Sequence, residues 1–186
     1  DKEAIFLIDA VTTNKTDFFR EAKHFDFMRD VSLPALVGKG HHNLRLWSSA
    51  CSTGAEPYTM AMVLDDLLPR HHASYQILAT DLSTDVLRTA YRAVYDRALM
   101  QPVPPALMRK YVMQPMNPAS DQVRIAPTLS RNVSFARMNL MDASYPVGDP
   151  MHIIFCRNVL IYFDKATETA VVSKLCEQLA PGGYLF

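Results

Sequence analysis

The chain has 186 residues, enough for one domain or for one domain with a small appendage. Its 19 basic and 19 acidic side chains balance, which excludes a general basic surface for nucleic acid, and 49% of its residues are hydrophobic, which supports a sizeable core. With three cysteines, no signal peptide and no apolar run of about 20 residues, the sequence predicts a cytoplasmic protein without a disulfide framework or a membrane-inserted segment.

The first half of the chain predicts helices that alternate with buried strands. A helical apolar face is expected from Phe18, Phe19, Phe25 and Met28, whose spacing follows the helix period. Residues 1–30 therefore predict a helical segment and a linker. Further on, strands are predicted at 44–50 (LRLWSSA) and 75–81 (YQILATD), and helices at 56–68 (EPYTMAMVLDDLL) and 83–95 (STDVLRTAYRAVY).

The second half interrupts this alternation with a proline-rich segment and then resumes it. Residues 122–127 (QVRIAP) and 132–140 (NVSFARMNL) predict two strands joined by a turn. The most apolar stretch, 152–163 (HIIFCRNVLIYF), predicts a central strand, and 164–180 predicts a helix that the following PGG ends before a last strand begins. Alternating strands and helices are typical of a parallel, doubly wound α/β sheet.

Polar residues follow three of the predicted strands. Gly54 and Glu56 come after the first strand, Asp81 ends the second, and Asn158 follows the apolar one. Ligands of open α/β sheets bind at the carboxyl ends of the strands, where a carboxylate after the second strand can accept ribose hydroxyls. Gly54 allows the backbone to approach a ligand, but a single glycine and the negative Glu56 do not suit a pyrophosphate. The pattern favours S-adenosylmethionine, a cationic nucleoside without phosphate.

Each of these residues also has a purely structural interpretation. Glu56 can be an acid favoured by the helix dipole in a first turn, Asp81 can cap the next helix, and Asn158 can cap the turn after its strand. The paired histidines at 41–42 and 71–72 are expected in solvated turns, because neighbouring residues rarely converge on one metal, so no metal site is predicted.

Four sequence blocks give the chain a resemblance to a known family. They are TTNKTDFFRE, WSSACSTGAEPYTMAM, LATDLSTDVLRTA and FCRNVLIYFD, with LAPGGYLF behind them. In these blocks the chain resembles the catalytic domain of the chemotaxis receptor methyltransferase (CheR) family. The resemblance implies a Rossmann-like methyltransferase sheet with a small antiparallel β-subdomain, placed at about 100–138. It also implies that the N-terminal helical domain is largely absent here and that the C-terminal strands are missing.

The resemblance also implies an activity and a set of site residues. The family transfers the methyl group of S-adenosylmethionine to glutamates in the cytoplasmic methylation helices of chemoreceptors, leaving S-adenosylhomocysteine. Arg20 and Tyr162 are expected to serve catalysis, with Arg20 also at the cofactor, and helical spacing would place Thr16 and Arg20 on one face. The cofactor-binding positions carried over, together with the turn glycine, are Asn14, Thr16, Arg20, Gly54, Glu56, Asp81, Asn139, Leu140, Asn158 and Val159.

The chain departs from the family pattern at four places. Ala55 stands where the first of two acids is usual, Ala93 where glycine is usual, and His152 where aspartate is usual. The segment QPMNPASDQVRIAP lacks the hairpin glycines of members that dock on a receptor's C-terminal pentapeptide, so the resemblance gives no support for that partner.

Two other functions remain open from the residues alone. A related methyltransferase with another acceptor would carry the same cofactor residues. A cofactor-binding sensor that has lost catalysis would also keep them, although the presence of Arg20 favours an enzyme. If Arg20 were instead a solvated charge on a helix face, that distinction would disappear.

Overall fold

The computed structural model of the protein describes residues 16–117 and 119–186, so Asn14 and the first half of the predicted N-terminal segment lie outside the described residues. The helices are α1 (Ala22–Phe27), α2 (Leu33–Gly38), α3 (Ala55–Leu67), α4 (Thr84–Arg92), α5 (Pro105–Tyr111), α6 (Pro127–Ser130) and α7 (Lys165–Glu177). The strands are β1 (Asn43–Ser48), β2 (Ser74–Asp81), β3 (Val94–Asp96), β4 (Val112–Met113), β5 (Gln122–Ile125), β6 (Val133–Arg137), β7 (Met151–Phe155) and β8 (Leu179–Leu185).

Five parallel strands form the main sheet in the order β6–β2–β1–β7–β8. Trp47 of β1 lies in register with Leu78 of β2 on one side and with Ile154 of β7 on the other. The chain therefore builds outward from β1 in one direction and then returns to build from β1 in the other. This reversal creates a topological switch point between β1 and β7, and it confirms the predicted Rossmann-like α/β sheet.

The central strand β1 is buried on both faces, which explains the apolar Leu44, Leu46 and Trp47 in its sequence. Leu44 and Leu46 pack into one core, and Trp47 packs into a second core on the other face of the sheet. Helix α3 covers the first face and is itself buried along most of its length. Burial on both faces fixes the register of β1, and with it the position of the turn that follows its carboxyl end.

A second, antiparallel sheet of three short strands has the order β3–β5–β4. It spans 94–125, whereas the sequence placed the insert at about 100–138, and both ends need correction. At the start, Ala93 adopts a left-handed conformation (φ 55°) that ends α4, so β3 begins at Val94 although the helix was predicted to continue to residue 95. At the end, β6 pairs in parallel with β2 and belongs to the main sheet.

The predicted N-terminal helix begins later than its apolar spacing indicates. Phe18 and Phe19 lie in a turn, α1 begins at Ala22, and a π-helical turn (Met28–Ser32) connects α1 to α2. Phe18, Phe25 and Met28 are nonetheless buried in the first core, as predicted. Phe19 is partly buried against the same core. Burial here comes from tertiary packing of a turn and a helix, not from one helical face.

Two departures from the family pattern have structural explanations. Ala93 occupies the left-handed position just after α4, where glycine is the unstrained residue. The Nδ1 atom of His152 accepts a hydrogen bond from the Arg45 backbone N–H at 3.0 Å, so the histidine supplies an acceptor there. Burial, and then the neighbouring His41, lower the pKa of His152, which favours the neutral ring that can accept this bond.

The last helix and strand meet earlier than predicted. Helix α7 ends at Glu177, and the PGG segment that was expected to end it lies within β8.

Across residues 16–117 and 119–186, no helix combines the length and the apolar character that a membrane span requires. Cys51 and Cys156 are buried free thiols, and Cys176 is exposed.

We predict that Gly54→Ala destabilises the domain by about 2–4 kcal/mol. Gly54 has a φ of +93°, and an added Cβ would lie 2.8 Å from both the Ala90 Cβ and the Tyr95 hydroxyl. Urea denaturation measures the change. The matched control is Gly38→Ala, whose added Cβ meets nothing within 4 Å, and which should leave stability within about 1 kcal/mol of the parent. Equal denaturation midpoints for the two variants would contradict the prediction.

Candidate active site

A cavity of about 590 Å³ opens at the carboxyl ends of β1, β2 and β7, beside the switch point of the sheet. This volume lies in the range of small-molecule sites. The sequence predicted nine of its lining residues, which are Thr16, Arg20, Glu56, Asp81, Asn139, Leu140, Asn158, Val159 and Tyr162. It did not predict the other ten as site residues, and these are Asp17, Ser49, Ala50, Ser52, Leu82, Met138, Met141, Arg157, Ile161 and Phe163.

Gly54 does not line the cavity. Its contribution is its backbone conformation in the turn that follows β1. The turn after β1 contains Ser52 at φ 49° and Gly54 at φ 93°, and the turn after β7 contains Asn158 at φ 57°. Left-handed residues with a Cβ are uncommon and collect at functional sites, where surrounding contacts hold them. Here they let two strand ends turn sharply around the same cavity.

Asp81 joins the ends of β1 and β2. Its carboxylate accepts the Ser52 N–H at 2.8 Å and the Ser83 N–H at 3.0 Å. The cap of α4 is Ser83, whose hydroxyl accepts the Val86 N–H at 3.4 Å. Asp81 is therefore not the helix cap that the alternative interpretation made it. Asp81 also lines the cavity, so a single carboxylate joins the two strand ends at the edge of the site.

Glu56, the second residue of α3, is bound to a buried cation. The Arg157 guanidinium donates to its carboxylate at 3.1 Å and the Ser48 hydroxyl donates at 2.7 Å. Burial raises the pKa of Glu56, while Arg157 and then Ser48 act against that rise. The helix dipole also favours an acid at this position. The Glu56 carboxylate in addition forms an ion pair with Arg157 at the cavity.

Arg157 connects three segments of the chain. Only 4% of its side chain is exposed, and its guanidinium lies 5.2 Å from the Phe25 ring centre and 5.6 Å from that of Phe155. It binds Glu56 and also Glu21, whose carboxylate is 3.2 Å away, and it donates to the Arg20 carbonyl. Its Nε atom has no hydrogen-bond partner among the described residues.

Arg157 and Glu21 are the main residues that the sequence interpretation missed at this site. Glu21 does not line the cavity, but it accepts the Asn158 side-chain amide at 2.9 Å as well as the Arg157 guanidinium. The signal available for Arg157 was its place at the same strand end as Asn158. The signal for Glu21 was an acid directly after Arg20.

The turn at 16–21 brings Thr16 and Arg20 to the cavity, but not by helical spacing. Residues 16–21 precede α1, and Phe19 and Glu21 are left-handed, with φ values of 54° and 55°. The expectation that Thr16 and Arg20 share a helix face is therefore wrong. Both residues nevertheless line the cavity, so the turn achieves the placement that the helix was expected to give.

The loop after β6 closes another side of the cavity. The Asn139 side chain accepts the Met141 N–H at 2.9 Å, which shapes the loop locally. The Leu140 carbonyl accepts from the Tyr145 hydroxyl at 2.6 Å and from Lys174 at 3.0 Å, which ties the loop to α7. Leu140 is buried and supplies an apolar wall.

Tyr162 and two neighbouring apolar side chains surround the cavity mouth. Tyr162 is 61% exposed, Ile161 is 76% exposed and Met141 is 54% exposed, although all three line the cavity. Large exposed apolar side chains grouped at one place are typical of an interaction surface.

Within residues 16–117 and 119–186, no group of three or more His, Cys, Asp or Glu side chains is arranged to hold a metal ion.

Comparison with known proteins settles the family. A family model described as "CheR methyltransferase, SAM binding domain" matches residues 14–186. The chain belongs to the CheR methyltransferase family. Its curated relatives include the chemotaxis protein methyltransferases of Borreliella burgdorferi, with 38% identity over 98% of this chain and 66% of that protein, and of Escherichia coli, with 38% identity over 96% and 61%. Chemotaxis protein methyltransferase 2 of Pseudomonas aeruginosa is 35% identical over 99% of this chain and 65% of that protein.

The chain spans 61–66% of the length of these three CheR relatives. Among solved structures, an S-adenosylmethionine-dependent methyltransferase from Clostridium acetobutylicum aligns with a TM-score of 0.47 and 15% identity, over 98% of this chain and 55% of that one. That likeness is too low to inform on the site.

Replacing the buried cation should expose the cost of leaving Glu56 unpaired. We predict that Arg157→Met destabilises the domain by about 3–5 kcal/mol at pH 7.5, because the Glu56 carboxylate loses its counter-ion. The double variant Arg157→Met with Glu56→Gln should recover much of this loss. Urea denaturation of both variants measures it, with the exposed Arg92→Met as the matched control.

The same variant gives a pH dependence of defined sign. Burial already raises the pKa of Glu56, and loss of Arg157 raises it further, so the folded protein binds a proton more tightly than the unfolded chain does. The difference in unfolding free energy between the parent and Arg157→Met should therefore shrink as the pH falls from 7.5 toward the unfolded glutamate pKa of about 4.3. A difference that is constant across this range would mean that Glu56 is not the stranded group.

Proposed function

We propose that this domain binds S-adenosylmethionine in the cavity and transfers its methyl group to glutamate side chains of chemoreceptors, giving methyl esters. The observation that carries the proposal is the placement of two carboxylates and one buried arginine around a single cavity at the switch point. Membership of the CheR family and the chemotaxis names of its relatives support the same reading.

The side chains at the cavity fit the functional groups of the cofactor. Asp81 would present its carboxylate to the ribose hydroxyls, and Glu56 and Arg157 offer an anion and a cation to the ammonium and carboxylate of the amino-acid end. The Nε atom of Arg157, which has no hydrogen-bond partner within residues 16–117 and 119–186, is a buried donor that a carboxylate could satisfy. Leu140 and Val159 supply apolar surface suited to an adenine ring. Bound there, the cofactor would supply a methyl group on a sulfonium, and its product would be S-adenosylhomocysteine.

The acceptor would need little chemical activation. A glutamate carboxylate is ionised at pH 7, so its oxygen can attack the methyl carbon in line with the departing sulfur without a general base. Catalysis would then come from proximity and orientation. Arg20 can grip the incoming carboxylate with two parallel hydrogen bonds, and Tyr162 at the mouth can position it. The C–O bond of the ester forms as the C–S bond breaks, and no proton has to move.

The cavity mouth favours an acceptor on a polypeptide over a free small molecule. Tyr162, Ile161 and Met141 present exposed apolar surface around the opening, more than a single carboxylic acid would cover. We propose the cytoplasmic methylation helices of chemoreceptors as the partner, which places the reaction in the cytoplasm. Nothing in the small antiparallel sheet adds support for binding of a receptor's C-terminal pentapeptide.

The chemical stability of the product distinguishes glutamate methylation from methyl transfer to other acceptor atoms. We predict that incubating the chain with methyl-labelled S-adenosylmethionine and receptor-containing membranes labels the receptor band, and that mild alkali releases the label as methanol. The reason is that a glutamate methyl ester is alkali-labile whereas methylated nitrogen is not. Membranes without receptors provide the acceptor control, and Asp85→Ala, an exposed acid on α4, provides the enzyme control.

The other results correspond to the other functions. Label that survives alkali would show a different acceptor atom and would contradict the proposal. Label on a small molecule in the supernatant would do the same. Calorimetric binding of S-adenosylhomocysteine with no transfer to any fraction would identify a cofactor-binding module without catalysis.

A further inference from the structure

We propose that Glu21 is a positioning residue of the active site, which holds the turn carrying Thr16 and Arg20 against Arg157 and Asn158 at the end of β7. This inference rests on the proposed methyl transfer for its kinetic consequence, but its structural basis is independent of the acceptor. Glu21 does not line the cavity, so its effect would pass through the residues that it binds.

The turn at 16–21 cannot hold its shape through local structure alone. Phe19 and Glu21 are both left-handed, a conformation that is unfavourable for residues with a Cβ, and Arg20 lies between them. Such a turn persists when contacts from elsewhere in the fold determine it. The placement of Arg20 therefore depends in part on what holds the residues on either side of it.

The two ends of the turn are held in different ways. At its beginning, the Phe18 ring packs edge-on against Tyr95 with ring centres 5.2 Å apart, and the Phe19 N–H donates to the Thr59 hydroxyl at 3.1 Å. These contacts belong to the core and attach the turn to the domain. They do not reach the residues that follow Arg20.

At its end, the turn is held by the Glu21 carboxylate. One oxygen accepts the Asn158 side-chain amide at 2.9 Å, and the other lies 3.2 Å from the Arg157 guanidinium. The same Arg157 nitrogen donates to the Arg20 carbonyl, so the backbone and the carboxylate are bound at adjacent points. The bond from Asn158, and then Arg157, lower the pKa of Glu21, so the carboxylate is charged at neutral pH.

The ordinary role of an acid at this position is not the one observed. Glu21 immediately precedes α1, where a side chain can cap the helix, but its carboxylate makes no capping hydrogen bond. It reaches across to β7, 136 and 137 residues further along the chain. The Glu21 carboxylate also lies 3.4 Å from the His24 ring nitrogen in α1, but its hydrogen bonds go to two cavity residues, which places it to align them with Arg20.

A double-mutant cycle tests this role. In single-turnover methyl transfer at saturating cofactor, Glu21→Ala should lower the rate by about 10–100-fold, the scale of misplacing a reacting group. Arg20→Ala should lower it by at least about 100-fold, and the loss in the double variant should be well below the product of the two single losses, because at saturating cofactor Glu21 acts on the rate mainly through Arg20. Glu21→Gln, which keeps the acceptor for Asn158 and loses the charge, should fall between Glu21→Ala and the parent.

The matched control is Glu168→Ala, which removes a glutamate that pairs with Lys165 in the first turn of α7. It should leave the rate unchanged. Urea denaturation of every variant separates positioning from a loss of folding. Additive losses in the Glu21 and Arg20 cycle, or a parental rate for Glu21→Ala, would overturn the proposal.

A calorimetric measurement of S-adenosylhomocysteine binding tests the role of Glu21 without a methyl acceptor. Glu21→Ala should weaken S-adenosylhomocysteine binding by at least about fivefold, because Arg157 and Asn158 at the cavity lose their common partner. If the parent chain transfers no methyl group, the proposed function fails, and this affinity alone decides the role of Glu21. An affinity within about twofold of the parent would then overturn it.

Discussion

The ion pairs of Arg157 are the interaction on which the site depends. A guanidinium with 4% of its side chain exposed needs partners, and it finds Glu56 at the start of α3 and Glu21 before α1. Three segments distant in sequence are thereby brought to one point at the carboxyl edge of the sheet. Asp81 performs a similar task for β1 and β2 by accepting backbone N–H groups from the residues that follow each strand. The cavity lies between these two anchors.

Ligands of open α/β sheets bind at the carboxyl ends of the strands. This rule was sufficient to predict that Glu56, Asp81 and Asn158 lie together at one edge of the sheet. Each follows a strand whose apolar sequence is evident, and parallel strands bring their carboxyl ends to one edge, so their proximity follows from the fold class. The sheet itself was predictable for the same reason, because β1 and β7 are buried on both faces and their sequences show it.

The remaining site residues depend on contacts that local sequence does not encode. Arg157 pairs with residues 101 and 136 positions away, and nothing next to it in the sequence indicates either partner. Thr16 and Arg20 came from family resemblance, and the helical spacing used to relate them was wrong because tertiary contacts hold 16–21 as a left-handed turn. The boundary of the small sheet was missed because Ala93 ends α4 in a conformation that usually requires glycine.

The central claim is that this cavity is the S-adenosylmethionine site, with its ribose end at Asp81 and its amino-acid end at Glu56 and Arg157. A crystal structure of the chain with S-adenosylhomocysteine tests it most directly. The account predicts ribose hydroxyls within hydrogen-bond distance of the Asp81 carboxylate and the amino-acid group beside the Glu56–Arg157 pair. A ligand bound in the reverse orientation, or outside the carboxyl edge of β1, β2 and β7, would contradict it.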